Sequence, residues 1–403
     1  MDSWIFQPGY PLITVEKHGR GVRLTQQIFR YRQDGSMSDQ RWYVPIFLRA
    51  GSKSGIFRQT LLLTENEQTL DFEESPDWVV VNAGGHGFYR VGYSHQLLDA
   101  LKGSLNDQLS SVEKFGLVND TWAATLAGLA APSDYLGLIE LMREERDLNI
   151  WATIIGSWHN LERILDEDQC DRLAERVRTL VGPAVERFGW STKEDESELE
   201  SQLRGDLIAA LGTLGEDRIC QERAREFFAR YEKAPDAVDR NIIPALVAIV
   251  AHTGMISDYE NFYRRFKDAG TPQEETRFLF ALANFRAPEL IDRTLDLTIN
   301  GEVRTQNAPY LVRGILLNRK ARSKAWSFMK EHWEEMLRLY PDNSIPRMCE
   351  GIVGLVTPEL EKDVREFCAA HPVKQGSKQL EQHLERLRVA VQCKKRWTDF
   401  LRN

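Results

Sequence analysis

The stretch Val81-Asn-Ala-Gly-Gly-His-Gly-Phe-Tyr-Arg-Val-Gly-Tyr93 stands at the point where the hydrophobic period of this sequence changes. Before it, apolar residues tend to occupy every second position, as Trp, Val, Ile and Leu do in Trp42–Leu48. That alternation is typical of half-buried strands. After Ser94 apolar residues recur every three or four positions, which is the period of amphipathic helices. The change predicts strands before this point and helices after it.

Glycine-rich turns separate the alternating runs of the first part, at His18–Gly21, Asp34–Ser36, Gly51–Gly55 and Gly84–Gly87. Short strands with turns at this spacing predict an antiparallel β-sandwich. No stretch with a helical period interrupts them, which argues against alternating strands and helices. We therefore expect a β-sandwich domain over residues 1–95, with a hairpin turn at Gly84–Gly87.

The rest of the chain carries several apolar stripes with helical spacing. One stripe is Leu203, Leu207, Leu211 and Leu214, followed by Gly215 as a stop signal. Others run through residues 326–340 and 380–391. About 300 residues of short helices fit a stacked array better than a four-helix bundle. The predicted fold class is multidomain α+β, with residues 96–403 forming a large all-α superhelix like that of HEAT or armadillo repeats.

Composition restricts the classes of function. Hydrophobic residues make up 42% of the 403, and the net charge of −8 argues against nucleic-acid binding, which needs clustered Lys and Arg. No apolar run approaches the ~20 residues that span a bilayer, and the first residues lack the features of a signal peptide. We expect a cytoplasmic protein without a membrane segment. The five cysteines are far apart and form no CxxC motif, which favours free thiols.

The histidines do not supply a metallopeptidase motif. A zinc-peptidase helix carries HExxH, with two histidines on one face and a Glu as general base between them. None of the eight histidines is followed by Glu, so this motif occurs nowhere in the sequence. The nearest stretch, His332–Glu335, lacks the second histidine and is interpreted as a surface pair. The sequence therefore offers no zinc-peptidase motif, and we assign no catalytic residue and no metal ligand from it, although a site assembled in space from distant residues stays open.

Several stretches resemble those of one enzyme family. They are Trp4–Ile13, Val81–Tyr93, Phe115–Asp120, Glu302–Gln306, and Ala325–Phe328 with Trp333. In order and spacing they are similar to the gluzincin zinc aminopeptidases, most of all to the puromycin-sensitive and endoplasmic-reticulum enzymes. The resemblance implies that this chain is the β-sandwich and helical C-terminal region of such an enzyme. The zinc ligands and the general base would lie in a catalytic domain that this chain lacks, so no cofactor is expected here.

The resemblance also implies a role for the helical domain. In the family it encloses the active-site chamber and contacts the distal part of the peptide substrate, so a peptide and the enzyme's own catalytic domain are the expected partners. The segment Asn343–Met348 matches the place where some members use an Arg to bind a carboxylate. Arg347 is therefore the first candidate for substrate binding and Arg304 the second. Either could instead be a structural ion pair, and Arg304 could simply precede a helix that begins near Pro309.

Alternatives remain open at this stage. A free-standing HEAT-like scaffold could bind a protein partner along its concave face, and a different enzyme could hold a site at the domain junction. Trp151, Trp158, Trp326 and Trp333 could form a peptide-stacking surface, although their spacing favours the core. A face left uncovered in the isolated chain could also self-associate.

Overall fold

The computed structural model describes residues 2–32 and 39–402, and the predicted turn Asp34–Ser36 lies outside them. The strands within these residues are β1 (Pro11–His18), β2 (Gly21–Ile28), β3 (Val44–Ser52), β4 (Gly55–Leu63), β5 (Glu67–Leu70), β6 (Trp78–Val81) and β7 (Arg90–Tyr93). The α-helices are α1 (Asp2–Ile5), α2 (His95–Gln108), α3 (Ser111–Ala127), α4 (Pro132–Ile139), α5 (Leu148–Ile164), α6 (Glu167–Phe188), α7 (Glu198–Thr213), α8 (Arg218–Lys233), α9 (Ile243–Thr253), α10 (Ile256–Lys267), α11 (Pro272–Ala281), α12 (Pro288–Asp296), α13 (Ala308–Leu317), α14 (Arg322–Glu331), α15 (Trp333–Leu339), α16 (Ile345–Cys349), α17 (Pro358–Ala370) and α18 (Ser377–Arg402).

The strands form two sheets that share one core. One sheet has the order β5-β2-β1-β7 and the other the order β4-β3-β6. Buried residues from both sheets belong to a single apolar cluster, in which Val15 and Ile46 are fully buried. The predicted β-sandwich is thereby confirmed. One pair departs from the antiparallel pattern, because β7 runs parallel to β1 with Leu12 opposite Arg90.

The segment Gly84–Gly87 is not the predicted hairpin turn. It connects β6 to β7, and these strands belong to different sheets, so the chain crosses from one sheet to the other here. Gly84 and Gly85 have φ of 73° and 69°, conformations that glycine adopts at little cost. Asn82 fixes the crossing, since its side chain bonds both the N–H and the C=O of Gly87. The predicted change of direction at these glycines is confirmed. The predicted pairing of the two flanking strands with each other is wrong.

A polar residue interrupts the apolar row of β2 for a structural reason. Gln26 is buried, yet its side-chain amide is well paired. Its Oε1 accepts from the backbone N–H of Trp42 at 2.9 Å, and its Nε2 donates to the carbonyls of Trp42 at 3.1 Å and Glu65 at 2.8 Å. Buried amides that are fully paired specify one arrangement of the chain. Gln26 therefore joins β2 to the residues flanking the second sheet.

Two of the sequence motifs contact each other directly. The Arg90 guanidinium of β7 lies 2.8 Å from the Asp120 carboxylate of α3, and the backbone N–H of Val91 donates to the same carboxylate at 2.9 Å. Burial raises the pKa of Asp120 to about 6, although the charge of Arg90 opposes this. The contact holds the first long helices of the chain against the edge of the sandwich.

The chain divides into two compact units, Met1–Ser157 and Trp158–Asn403. The change from strands to helices falls where expected, between the end of β7 at Tyr93 and the start of α2 at His95. The first unit includes the sandwich together with the helices that follow it directly. A domain boundary at residue 95 stays a prediction.

In the second unit, successive helices pack in order along the chain. Helix α7 packs on α6 and α9, α9 on α8 and α11, and α11 on α10 and α13. The predicted stripe is confirmed, because Leu203, Leu207 and Leu211 of α7 and the adjoining Leu214 are all buried. The last helix, α18, returns to α6, where Lys394 lies 2.9 Å from Asp166. A large helical part therefore follows the small β part, as the fold class predicted.

Candidate functional site

A pocket of about 400 Å³ lies in the second unit, beside α16. Its wall comes from three separate segments of the chain. The lining residues are Tyr310, Asn343, Ser344, Pro346, Arg347, Gln375, Gly376 and Gln379. The set contains one guanidinium, three side-chain amides and two hydroxyl groups, and it contains no carboxylate. Such a surface is rich in hydrogen-bond donors and suits an anionic or peptide-like ligand.

Local sequence explains how the pocket wall is built. The turn before α16 is closed by Ser344, whose backbone N–H and hydroxyl both donate to the carbonyl of Pro341. Pro346 stands in the first turn of α16, where a missing N–H costs nothing. On the other side Gly376 precedes α18 with φ of 76°, and a Cβ there would lie 2.4 Å from Cγ of Pro346. Only glycine allows this close approach of the two segments.

Arg347 is exposed at this pocket and its guanidinium is not neutralised. Within residues 2–32 and 39–402, no hydrogen bond or ion pair to its side chain is found. The nearby acids have cations of their own: Asp342 lies 3.6 Å from Lys374, and Glu350 lies 2.9 Å from Arg313. The pocket therefore presents an available positive charge.

Helix α18 packs on α16, and its residue His383 is buried. Burial lowers its pKa, the Glu350 carboxylate opposes this, and the charges of Arg386 and Arg347 lower the pKa further. A neutral ring is therefore favoured at this position. The positive charge at the pocket comes from Arg347, and His383 is not among the lining residues.

Arg304, the second candidate, occupies a different environment. It precedes α13 and is exposed, but its guanidinium lies 3.1 Å from the carboxylate of Glu275, which is itself largely buried. Its backbone carbonyl accepts from the N–H of Asn307 and Ala308, at the start of α13. Arg304 is not among the residues that line the pocket of Arg347. The structure does not bring the two candidates into one site.

The tryptophans belong to the core. Trp151, Trp158, Trp326 and Trp333 are all buried. The indole N–H of Trp326 donates to Asp363 at 2.6 Å. The core interpretation is confirmed, and a peptide-stacking surface made of these four rings is wrong.

The residues described here do not fit a zinc site. Within residues 2–32 and 39–402 no three His, Cys, Asp or Glu side chains form a group that could hold a metal ion. The stretch His332–Glu335, the one most similar to HExxH, forms only a local contact. Nδ1 of His332 lies 3.1 Å from Glu335, one helical turn away. Both side chains are partly exposed, as the surface-pair interpretation expected.

Sequence reasoning missed most of the pocket wall. Tyr310 lies on α13, 37 residues before Arg347, and Gln375 and Gln379 flank the start of α18, 28 and 32 residues after it. None of them belongs to a motif. Gly376 offered the one local signal, since a glycine just before a helical stripe indicates a turn.

The fold and pocket define a chain in which a small β-sandwich precedes a helical module that carries a donor-rich pocket. Residues 78–389 match the family model of the ERAP1-like C-terminal domain. The chain belongs to this family and is a C-terminal region of an M1-type, gluzincin aminopeptidase. In the part of the chain described here, no helix is long and apolar enough to cross a membrane.

Aminopeptidases from plants and yeast align with almost the whole chain. Aminopeptidase M1-D of Oryza sativa subsp. japonica is 28% identical over 100% of this chain and 47% of its own length. Aminopeptidase M1 of Arabidopsis thaliana is 26% identical over 96% of this chain and 46% of its own. The alanine/arginine aminopeptidase of Saccharomyces cerevisiae is 26% identical over 97% and 46%. The chain thus spans about half the length of these relatives.

Proposed function

We propose that this chain is the non-catalytic C-terminal region of a zinc-dependent, cytoplasmic aminopeptidase, in which a HEAT-like helical domain encloses the active-site chamber. In this role the pocket beside α16 binds the distal part of the peptide, and Arg347 binds a carboxylate of that peptide. The observation that carries the proposal is the unpaired guanidinium of Arg347 in a wall without any carboxylate.

The chemistry of the wall supports a carboxylate ligand. A guanidinium binds a carboxylate through two parallel N–H donors and keeps its charge across the pH range in which proteins are folded. The amides of Asn343, Gln375 and Gln379 offer both donors and acceptors, which suits the main chain of a peptide. The neighbouring acids are already paired, so little repulsion opposes an incoming anion.

Hydrolysis belongs to the other half of the enzyme in this proposal. Zinc supplies an activated water and polarises the peptide carbonyl in metallopeptidases, and the residues of this chain described here do not form a site for it. We expect the isolated chain to bind peptides weakly and to leave aminoacyl anilides intact. Stoichiometric zinc with peptidase activity in this chain alone would contradict the proposal.

The decisive experiment compares Arg347→Ala with Arg304→Ala in the full-length enzyme. Peptides with a free carboxylate, acidic or C-terminal, are tested beside their amidated forms. Arg347→Ala should weaken the carboxylate peptides by about 1–3 kcal/mol, the loss of a charged hydrogen bond, and leave the amides unchanged.

Arg304→Ala serves as the matched control, because this arginine is exposed and already paired with Glu275. It should change neither series of peptides. Equal effects of the two substitutions, or an effect of Arg347→Ala on amidated peptides as large as on free acids, would show that Arg347 does not bind a carboxylate.

A further inference from the structure

Strand β4 forms an edge of the sandwich that lacks the usual protection. It ends the sheet order β4-β3-β6, and among the described elements it packs extensively only against β3. The edge strands β5, β6 and β7 have four residues each, whereas β4 has nine. Proteins usually shorten, charge or cover such edges because an open strand pairs with other chains.

Exposed apolar side chains on β4 favour pairing of this edge with another strand. Ile56 is 53% exposed, Phe57 46% and Leu62 54%. The Phe57 ring rests edge-on against Phe72 of the core at 5.4 Å, so it is held in place while half of it stays open. Arg58 is the single charged residue of the strand. Large apolar groups on an open edge favour association.

The sequence of β4 is self-complementary about Gln59. When a second copy runs antiparallel with Gln59 opposite Gln59, Phe57 faces Leu61, Ile56 faces Leu62 and Arg58 faces Thr60. Each of the exposed apolar residues Ile56, Phe57 and Leu62 then meets an apolar residue, only the buried Leu63 lies opposite a glycine, Gly55, and no like charges are opposed. Beyond the two ends of the strand, Lys53 and Glu65 fall at matching sequence positions and carry opposite charges, while Glu65 already lies 3.1 Å from Arg41 within its own chain.

We propose that β4 pairs with β4 of a second copy of this chain, antiparallel about a twofold axis at Gln59, to give a continuous six-stranded sheet. The self-complementary order of apolar, charged and neutral residues favours a second copy as the occupant, because a two-fold contact requires each patch to match itself. A surface that meets an unrelated segment needs no such symmetry. The proposal does not depend on the function of the Arg347 pocket.

The pairing predicts which residues are in register. Directly opposed residues of an antiparallel pair have Cα atoms about 4.5–5.5 Å apart, within reach of a disulfide, whereas diagonal neighbours lie about 7–8 Å apart. Gln59→Cys in the full-length protein should therefore form a covalent dimer under mild oxidation. Arg58→Cys and Thr60→Cys should each form little dimer alone and cross-link when mixed. The unsubstituted protein measures the background from the natural cysteines.

A charge change at one exposed position tests the same register without a cross-link. Thr60→Arg sets a second guanidinium opposite Arg58 of the second copy and should abolish the concentration-dependent dimer in sedimentation equilibrium. Thr60→Glu sets a carboxylate there on both sides of the twofold axis and should tighten the dimer about five- to thirty-fold, as expected for two opposed charge pairs of about 0.5–1 kcal/mol each. Circular dichroism checks that both variants fold.

The proposal is overturned if the unsubstituted protein stays monomeric at every concentration reached. It is equally overturned if Thr60→Arg and Thr60→Glu shift the dimer in the same direction, or if Arg58→Cys alone cross-links as well as Gln59→Cys does. A dimer that forms through another surface would give the second or third of these results.

Discussion

Arg204 and Arg347 both belong to the helical unit, yet the regions around them balance a guanidinium in different ways. Arg204 on α7 is fully buried between the carboxylates of Glu196 and Asp239, and it also donates to the hydroxyl of Ser201 at 2.9 Å. Arg347 is exposed in a wall without carboxylates. A buried charge must be paired within the fold, whereas an exposed, unpaired one is available to a ligand.

The pKa of Asp239 supports this contrast. Burial alone would raise it, but bonds from the backbone of Asn241 and from Thr192, together with the charge of Arg204, hold the pKa of Asp239 below its ordinary value. The carboxylate is therefore stabilised in its charged form by the fold. Around Arg347 the corresponding counter-charge has to come from outside the chain.

The largest expected effect tests the structural side of the comparison. Arg204→Ala should lower the free energy of unfolding by about 3–5 kcal/mol, because it leaves two enclosed carboxylates without their cation. Urea denaturation measures it. Arg240→Ala is the matched control, since its pair with Asp236 is 87% and 95% exposed and should contribute at most about 0.5 kcal/mol. Similar losses from the two variants would remove the distinction between enclosed and open arginines.

A smaller effect is expected where the pocket wall is closed. Gly376→Ala places a Cβ in the space of Pro346 and strains a positive φ. It should lower stability by about 1–2 kcal/mol and weaken carboxylate peptides as well.

Gly301→Ala is the control for this change, because Gly301 has φ of 86° but open space around it. Gly301→Ala introduces the backbone strain of a positive φ but no contact like that with Pro346. Peptide binding should therefore be unaffected. If both variants bind carboxylate peptides normally, the approach of Gly376 to Pro346 does not shape the pocket.

The smallest effect is expected for Glu216. Its side chain is 44% exposed, between the buried surroundings of Arg204 and the exposed Arg347. Burial raises the pKa of Glu216, but the His252 ring and the Arg286 guanidinium outweigh this and lower it to about 2. A lowered carboxyl pKa stabilises the fold above the unfolded value of about 4.3, and this stability is lost as pH falls towards 2. Glu216→Gln should therefore cost about 1 kcal/mol near pH 5.5, allowing for solvent screening.

The difference between Glu216→Gln and the unsubstituted protein should then shrink as pH falls from about 4 to 2. Thermal unfolding across this range measures it. A difference that stays constant down to pH 2 would mean that the charge of Glu216 contributes nothing, and that the local backbone, with φ of 46° at this residue, accounts for the loss.

Most of the fold could be predicted from the spacing of apolar residues along the sequence. The stripe of Trp326 and Trp333 predicted burial correctly, because large apolar side chains at helical spacing have few other places to go. The β-sandwich could be predicted from apolar residues at every second position, because such residues share one face of a strand and that face is buried. What alternation could not supply was the partner of each strand, so Gly84–Gly87 was assigned to a hairpin although it crosses between sheets.

The candidate site was only half accessible to sequence reasoning. The resemblance to the family ranked Arg347 first, and Arg304 came second because its segment could simply start a helix near Pro309. They differ because Glu275 on α11 contacts Arg304, while the residues that line the pocket with Arg347 include no acid. Which side chains meet across helices depends on packing between distant segments, and no local pattern records it.

The parallel pairing of β1 with β7 has a consequence for how the chain is synthesised. Leu12 cannot meet its neighbour Arg90 until both sheets and the crossing at Gly84–Gly87 have left the ribosome. Closing the long loop between β1 and β7 is slow compared with forming a hairpin. We therefore expect one edge of β1 to stay unpaired while the rest of the sandwich is translated. Nascent chains halted before residue 90 should be held by chaperones or cut by proteases, and chains halted beyond α3, once Asp120 can bind Arg90, should resist both.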